Sequence, residues 1–561
     1  MPQTPLRSGG KILADQLHLH GARMIFGVPG ESYLAVLDAL YDYRDTMPFI
    51  VCRQEGGAAM MAEAYGKLTG EPGICIVTRA PGATNASSGV HVARQDSTPM
   101  ILLIGQVGRG MRDREAFQEV DFRRMFGQMA KWVAEIDSAA RIPEYLSRAF
   151  HTAVSGRPGP VVLALPEDML RETAAVADPT PYARIEAHPS AEQMAALRAM
   201  LADAKRPLAI VGGGGWDAQA AERVRRFAEA CGLPVAASFR RQDYVDNDSL
   251  CYAGDVGIGI YPALGARVKD ADLLLVLGAR LGEMPSQGYT LLNIPRPKQK
   301  LIHVHAGAEE LGRVYQLDLA INAGPRAFAA ALARIEPPGG SAWAEWRSEA
   351  RRDYEAWQAA PRNPGALQMG EVIATLRSLL PDDAIIANGA GNFAIWVHRF
   401  YRYRQFGTEL APTSGSMGYG VPAAIAAKLI HPGRAVVAFS GDGCFLMTGQ
   451  EFATAMQYKA AVIFIVVNNA MYGTIRMHQE RSFPGRVSGT ALTNPDFAAY
   501  ARAFGGFGAA IEKTEDFVPA FEAARASGLP SILELRIDPE AITPRQSLSE
   551  IREEALAKAS L

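Results

Sequence analysis

The stretch GDGCFLMTGQEFATAMQYKAAVIFIVVNN, Gly441 to Asn469, decides how the chain is read. Its Gly-Asp-Gly start follows an apolar, strand-like run from Ala435 to Phe439. Its Asn-Asn end closes a second such run, from Val462 to Val467, and the residues between, Phe445 to Tyr458, carry helical spacing. The order strand, tight turn, helix, strand puts an oxygen donor at the end of each strand. A hard cation such as Mg²⁺ takes oxygen ligands and accepts only one or two carboxylates, phosphate oxygens completing its octahedron. Asp442 would supply the charge and Asn469, 27 residues later, a neutral oxygen, while the glycines let a diphosphate approach the backbone. The competing reading is that both ends are turn residues and nothing more, as most such pairs are.

Around this stretch the chain is long: 561 residues, against about 100–200 for a typical domain. A composition of 48% apolar and 21% charged residues is ordinary for a globular protein. A formal net charge of -2 gives no electrostatic reason to expect nucleic acid or an anionic membrane as partner. The five cysteines, Cys52, Cys75, Cys231, Cys251 and Cys444, are odd in number, scattered and never CxxC, which points to a reducing compartment and away from a disulfide framework or a zinc site. The start, MPQTPLRSGG, lacks the apolar core of a signal peptide, and no apolar run approaches the roughly 20 residues of a membrane helix. A cytoplasmic protein is expected.

Three α/β blocks are expected, within residues 1–180, 190–335 and 365–561. In the first, the runs Phe49–Val51, Ile74–Val77, Met100–Ile104 and Val161–Ala164 alternate with helical segments such as Gly57–Leu68. Continuous apolar strands between helices are what a parallel sheet covered on both faces requires, so each block reads as a doubly wound parallel sheet. The second block repeats the pattern with Pro207–Val211, Leu273–Leu277 and Leu301–Val304. Thr173–Pro189 reads as a linker and Glu336–Pro364 as a second boundary, its WAEWRSEARRDYEAWQ segment a surface helix joining the blocks. Ser547–Leu561 reads as a terminal helix, and the first and third blocks could be divergent copies of one fold.

Other motifs carry less. Pro207 to Trp216, reading PLAIVGGGGW, resembles a strand–glycine–helix phosphate cradle, but tight turns after a strand need glycine for steric reasons alone. His303 and His305 flank Val304 and so share one face of a strand, where packing is the simpler role. Arg223, Arg225 and Arg226 read as a solvated helix face. There is no GxxxxGK[ST] loop, no HExxH helix and no GxSxG elbow.

Four further segments join the opening one: FGVPGESYLAVLDAL (Phe26–Leu40), RQEGGAAMMAEAYGKLTGEPGICIVTRAPGATN (Arg53–Asn85), NGAGNFAIWVHRFYRY (Asn388–Tyr403) and SGSMGYGVPAAIAAKL (Ser414–Leu429). Together, and in this order, they resemble the thiamine diphosphate (ThDP) enzyme superfamily across the whole chain, specifically its acetolactate synthase-like branch with the pyruvate oxidases and decarboxylases. The resemblance implies a pyrimidine-binding domain in residues 1–180, a central Rossmann-like domain in 190–335 and a diphosphate- and Mg²⁺-binding domain in 365–561. It implies that Glu55 is the carboxylic acid at N1′ of the aminopyrimidine, that Met417 props the cofactor into its bent form, and that the Gly415 carbonyl accepts from the 4′-amino group. Gly391, Asn392 and Phe393 match the loop against the diphosphate; Gly441, Asp442 and Gly443 match the cofactor-binding turn. Asp442 and Asn469 by side chain and Met471 by backbone oxygen are the implied metal ligands. In this family Glu55 and the diphosphate site come from different subunits, so a homodimer or homotetramer with shared active sites is expected.

The substrate positions depart from the synthases. Gly30 and Glu31 stand where the synthases carry two glycines, and an acidic residue there is similar to the simple 2-oxo acid decarboxylases, although this chain lacks their adjacent histidine pair. Gly282, Glu283 and Met284 replace the synthases' Asp-Asp-Arg, which removes a bidentate partner for a second carboxylate. His478 falls where their acceptor-pocket tryptophan lies, while Phe117, Gln118 and Lys131 are retained. FAD, held by true synthases on the central domain, is accordingly in doubt. The expectation is a ThDP- and Mg²⁺-dependent enzyme that decarboxylates a 2-oxo acid and passes the acyl group to a carbonyl or a proton. Glu55 is the activating residue; Gln118, Glu31 and His478 are candidates for orienting substrate or relaying protons. A 2-hydroxyacyl-CoA lyase or oxalyl-CoA decarboxylase-like activity stays open. So do two readings of other classes: a catalytically silent regulatory homologue, and an NAD(P)-dependent oxidoreductase built on the central glycines.

Overall fold

The structure, a computed structural model, describes residues 5–338 and 343–559. The start of the N-terminal MPQT, Gly339 and Gly340 of the second expected boundary, and Ser560 and Leu561 of the expected terminal helix lie outside the described residues. The chain forms two compact units, Met1–Glu186 and Ala187–Leu561.

The first unit is built on a six-stranded parallel sheet. From one edge to the other its strands are Phe49–Val51, Ile25–Gly27, Gly73–Val77, Met100–Gln106, Pro160–Pro166 and Trp132–Glu135. Gly73–Val77, Met100–Gln106 and Pro160–Pro166 are buried at every position, as helices on both faces of a sheet demand. The helices Glu55–Thr69 and Ala80–Asp96 approach closely because Gly89 has no side chain: a Cβ there would lie 2.4 Å from Ala59 Cβ. Ile25–Gly27 and Trp132–Glu135 add to the four strands expected; they are only three and four residues long. The expected linker is tied down at its start, where Thr173–Ala175 pairs antiparallel with Leu6–Ser8. Further along it the Tyr182 N–H donates to His20 Nδ1 at 3.1 Å.

The second unit holds two parallel sheets. The central one runs Tyr252–Val256, Val235–Ser238, Pro207–Val211, Leu273–Leu277, Lys300–His305, Leu319–Asn322. The other runs Glu409–Leu410, Ile385–Asn388, Val436–Gly441, Ile463–Asn468, Ser531–Arg536, Phe507–Ile511. Numbered along the chain within each sheet, the first and third share the strand order 2-1-3-4-6-5, whereas the central one is 3-2-1-4-5-6. The shared order is what two divergent copies of one fold would have. Each sheet has a switch point where the order reverses, the place at which such folds bind ligands beyond the carboxyl ends of the strands. In the third sheet it falls between Ile385–Asn388 and Val436–Gly441, directly before Gly391–Phe393 and Asp442.

Two expected helices differ from what is found. The segment Phe445–Tyr458 is not one helix: a turn Asp442–Phe445 stops, and a 3-10 turn Gly449–Glu451 leads into Phe452–Gln457. The break brings the Thr448 hydroxyl to the Gly418 carbonyl, 2.6 Å away. The segment read as a linking surface helix is the helix Ala344–Trp357, but Trp343, Ala350 and Tyr354 are buried in the central core and Trp343 Nε1 donates to the Ala204 carbonyl at 2.8 Å. It therefore belongs to the central domain. The terminal helix forms, as Leu548–Ala559.

Candidate active site

At the switch point of the third sheet lies a cavity of about 210 Å³. Gly391, Asn392, Phe393, Gly415, Met417, Gly441, Asp442, Gly443, Asn469 and Met471 all line it, together with Trp396, Cys444, Tyr472, Thr474 and Ile542. Ten residues that the sequence spreads from 391 to 471 thus meet in one place. Gly391 has φ 151, and a Cβ on it would sit 2.9 Å from the Phe393 ring, so this turn requires glycine. Gly415 has φ 68 with nothing within reach of a Cβ, leaving its backbone open to the cavity.

Asp442 is buried, and burial pushes its pKa up against the hydrogen bonds it accepts from the Gly443 N–H (2.9 Å) and Asn494 Nδ2 (2.8 Å). A buried carboxylate raised in this way gains most from a cation beside it. The two asparagines of the Asn-Asn pair divide their work. Asn468 is a structural residue: Oδ1 accepts from the Ala470 N–H (3.0 Å) and Asn494 (2.9 Å), and Nδ2 donates to Glu534 (2.7 Å). Asn469 lines the cavity, its Oδ1 accepting only a 3.3 Å bond from the Met471 N–H. Asn494 Oδ1 is buried with no hydrogen-bond partner among the described residues. One carboxylate, one amide oxygen and a backbone carbonyl make a hard oxygen set that fits Mg²⁺ with phosphate oxygens. Among the described residues there is no cluster of three or more His, Cys, Asp or Glu of the kind zinc takes.

The loop bearing Gly415 and Met417 is fixed at both ends. The Pro412 carbonyl accepts the Gly415 N–H at 3.0 Å. At the other end Gly418 donates its N–H to Cys444 Sγ (3.2 Å) and accepts from Thr448. Met417 is half-buried and packs on the core beneath. Asn392 is committed structurally, donating to the Ile542 carbonyl (3.0 Å) and accepting from the Thr474 hydroxyl (2.9 Å).

In the first unit Glu55 opens the helix Glu55–Thr69, capped by Gln54, whose side-chain oxygen accepts the Gly57 N–H at 3.0 Å. Its Oε2 accepts from Asn85 Nδ2 at 2.9 Å. Gln118 adopts φ 64, uncommon for a residue with a side chain, and its carbonyl accepts the Ala80 N–H that begins the next helix. Phe117 beside it is 71% exposed. Glu31 is exposed on a 3-10 turn, Glu31–Tyr33, just past the strand Ile25–Gly27. Lys131 is engaged by the Thr152 and Ser155 carbonyls. His478 is exposed on the helix Gly473–Ser482, and it is the start of that helix, Gly473 to Ile475, rather than His478, that lines the cavity.

The central domain offers no ready dinucleotide cradle. Its glycine run is spent on packing: a Cβ on Gly213 would fall 1.9 Å from the Gly278 carbonyl oxygen. A small polar cavity of about 90 Å³ includes Arg280, His303, Glu310 and Arg313, but Glu310 holds both arginines, at 3.3 and 3.1 Å. These residues do not fit FAD without rearrangement. His303 and His305 are buried, and Arg225 pairs with Glu222 and Glu229 on its own helix. All five cysteines are buried, and none is in a disulfide.

Sequence reading singled out none of Asn494, Asn85, Thr474 and Ile542, although Asn85 closes the quoted Arg53–Asn85 segment. The nearest signal is the turn-like Thr493-Asn494-Pro495.

Residues 7–125 match the description "Thiamine pyrophosphate enzyme, N-terminal TPP binding domain", residues 194–332 the central domain of that enzyme, and residues 389–535 its C-terminal TPP binding domain. The acetolactate synthase large subunit of Corynebacterium glutamicum is 32% identical over 536 residues, 92% of this chain and 84% of that protein. The acetolactate synthase isozyme 2 large subunit of Escherichia coli is 32% identical over 538 residues, 95% and 96% respectively. A probable acetolactate synthase large subunit of Methanocaldococcus jannaschii is 29% identical over 557 residues, 96% and 93%. No helix among the described residues is long and apolar enough to cross a membrane.

Proposed function

The chain belongs to the thiamine pyrophosphate enzyme family, in its acetolactate synthase-like branch, and is a ThDP-dependent 2-oxo acid carboligase; we propose that its diphosphate and a Mg²⁺ ion are held in the cavity of the third sheet. The convergence of Gly391–Phe393, Gly415, Met417, Asp442 and Asn469 on that one cavity supports this reading. Asp442, Asn469 and the Met471 carbonyl would hold the metal, with Gly441 and Gly443 letting the diphosphate approach the backbone. When bound, ThDP supplies a carbon nucleophile and an electron sink. Glu55 would hold a proton at N1′ of the aminopyrimidine, the Gly415 carbonyl would accept from the 4′-amino group, and Met417 would pack against the cofactor.

Gln118 is the first candidate for orienting substrate, because its backbone is already fixed at the start of the helix that also carries Asn85. Glu31 and His478, both exposed, are proton-relay candidates. A cytoplasmic homodimer or homotetramer, with Glu55 and the diphosphate cavity contributed by different subunits, is part of the same reading. This reading does not require flavin. The replacement of the synthases' Asp-Asp-Arg by Gly282-Glu283-Met284, of which Glu283 is exposed, supports an acceptor without a second carboxylate.

The test is a panel of 2-oxo acid donors crossed with aldehyde and 2-oxo acid acceptors, followed by CO₂ release and product analysis, alongside the visible spectrum of the purified protein. Acetolactate from pyruvate alone would restore the synthase acceptor. Carboligation to aldehydes, with no flavin bands, is the expected result. Turnover confined to acyl-CoA substrates would move the chain to the CoA lyases.

A further inference from the structure

One short segment of the central domain reaches toward the turn of the third domain that carries Gly415 and Met417. The strand Val235–Ser238 ends in Phe239-Arg240-Arg241, where Arg240 adopts φ 59 and is buried. Non-glycine residues rarely hold this backbone conformation, and when they do the surroundings fix it. Arg240 Nη1 donates to the Pro412 carbonyl at 2.5 Å. That carbonyl is the one that accepts the Gly415 N–H at 3.0 Å, so the guanidinium shares its acceptor with the residue whose own carbonyl would face the cofactor.

Three residues on, Asp243 holds the chain just before Pro412. Its Oδ2 accepts the backbone N–H groups of Gly407 (2.9 Å), Thr408 (2.9 Å) and Glu409 (3.1 Å), and the Gln242 N–H donates to Glu409 Oε2 at 2.6 Å. Asn247 joins from the same segment, its Oδ1 accepting the Tyr403 N–H at 2.9 Å. The stretch 403–412 is thereby fastened to the central domain along its length, and five residues later the chain reaches Met417. A charged, buried donor on the Pro412 carbonyl is costly to place and strong once placed. Arg240 lies beyond the last residue of its strand, so its side chain is outside the ladder of the central sheet.

We propose that Arg240, backed by Asp243, is a positioning residue for the cofactor: it fixes the Pro412–Met417 turn so that the Gly415 carbonyl and the Met417 side chain are held ready before ThDP arrives. This rests on the reading of the cavity as the ThDP site. The central domain then acts as the splint of the active-site loop. Removing the guanidinium would leave the turn with its own Pro412–Gly415 hydrogen bond and the pins at Gly418. The loop should still form but sample other positions, and the loss should fall on cofactor binding and on the rate, not on substrate affinity.

The experiment titrates ThDP, with Mg²⁺ in excess, into apo wild-type, Arg240→Met and Arg240→Lys proteins. It follows intrinsic tryptophan fluorescence, to which Trp396 in the cavity wall contributes, and the rise in Tm that cofactor gives each protein over its own apo form. Arg240→Met is expected to bind ThDP about 10- to 100-fold more weakly, the range for losing a hydrogen bond from a charged donor. It should lose most of the ThDP-induced rise in Tm and show a lower kcat with an unchanged KM for the 2-oxo acid. Arg240→Lys, which keeps a charged donor, should recover part of the affinity. A purely structural arginine would lower the apo Tm and leave the ThDP-induced rise and affinity as in wild-type; that result, or Arg240→Lys no better than Arg240→Met, overturns the proposal. If Arg240→Met does not fold, Arg240→Lys carries the test against wild-type: weaker ThDP binding supports the proposal and equal binding overturns it. A wild-type protein that gains neither quenching nor Tm from ThDP and Mg²⁺ would overturn the site reading itself, and this proposal with it.

Discussion

Asn85 donates its side-chain N–H to Glu55 Oε2 at 2.9 Å, tying the first residue of one helix to the second turn of the next. The helices it joins pack so closely that glycine is needed at position 89. Glu55 is therefore held in place by an outer partner, and the two residues should lose activity to different degrees. Glu55→Gln keeps the shape but cannot supply an acid, and should lower kcat/KM for 2-oxo acid decarboxylation by about 10² to 10⁴. Asn85→Ala should cost about 10-fold, the lower end of what a displaced partner of a reacting group loses. Initial rates at saturating ThDP and Mg²⁺ measure both.

The two asparagines at the end of the opening stretch should respond oppositely. Asn469→Ala removes a proposed metal ligand and should raise the Mg²⁺ concentration needed for half-maximal activity with little change in Tm. Asn468→Ala breaks bonds to Ala470, Glu534 and Asn494, and should lower Tm. Asn494→Ala loosens Asp442 and Asn468 together and should weaken Mg²⁺ by about 10- to 100-fold, the usual cost of removing a residue that orients a ligand. Mg²⁺ titrations of activity beside thermal melts separate the three.

Stability should depend on pH through the contact between the central and third domains. Burial, with the charge of Glu409 adding to it, pushes both Asp243 and Asp255 up to about 7. Both lie in one buried cluster with Gln242, Glu409 and His398, the last 3.2 Å from Glu409. A carboxyl whose folded pKa stands above its unfolded value of about 3.9 stabilises fully below that value and loses the contribution as pH rises through the folded pKa. Urea midpoints measured from pH 4 upward should therefore fall until about pH 7 from these groups and then level. Asp255→Asn, which keeps an oxygen and an amide without the charge, should flatten that slope.

The terminal helix Leu548–Ala559 should matter to the cavity it does not itself line. Ile551 and Leu548 pack with Met477 and Ile542, and Ile542 is both a wall of the cavity and the acceptor for Asn392. Ile551→Ala should destabilise by about 2–4 kcal/mol. A fluorescence titration of that variant should also show weaker ThDP binding.

Much of this was legible before any coordinates. The Asp442 and Asn469 oxygens end adjacent strands because apolar runs of strand length precede both, and the register Gly441 to Val467 brings those ends side by side. The resemblance supplied Glu55, Gly415 and Met417. The helix between the two strands was misread as continuous, because helical spacing says nothing about Thr448 needing to reach Gly418. Asn494 and Arg240 were invisible for a related reason: each acts through long-range hydrogen bonds, such as those across 52 residues to Asp442 and 172 to Pro412, that leave no periodic trace. Glu31 and His478 show the reverse, since family position singled them out while the structure leaves both exposed.

The central claim is that this chain turns over a 2-oxo acid with ThDP and a metal held by Asp442. The most direct measurement is CO₂ release from a 2-oxo acid by protein stripped of cofactor and metal, with each restored singly and together, in wild-type and Asp442→Ala forms. Release only when both are returned, and at least 100-fold less in Asp442→Ala, is the expected result, about 3 kcal/mol at the metal. Undiminished release without ThDP, or full activity in Asp442→Ala, would contradict it.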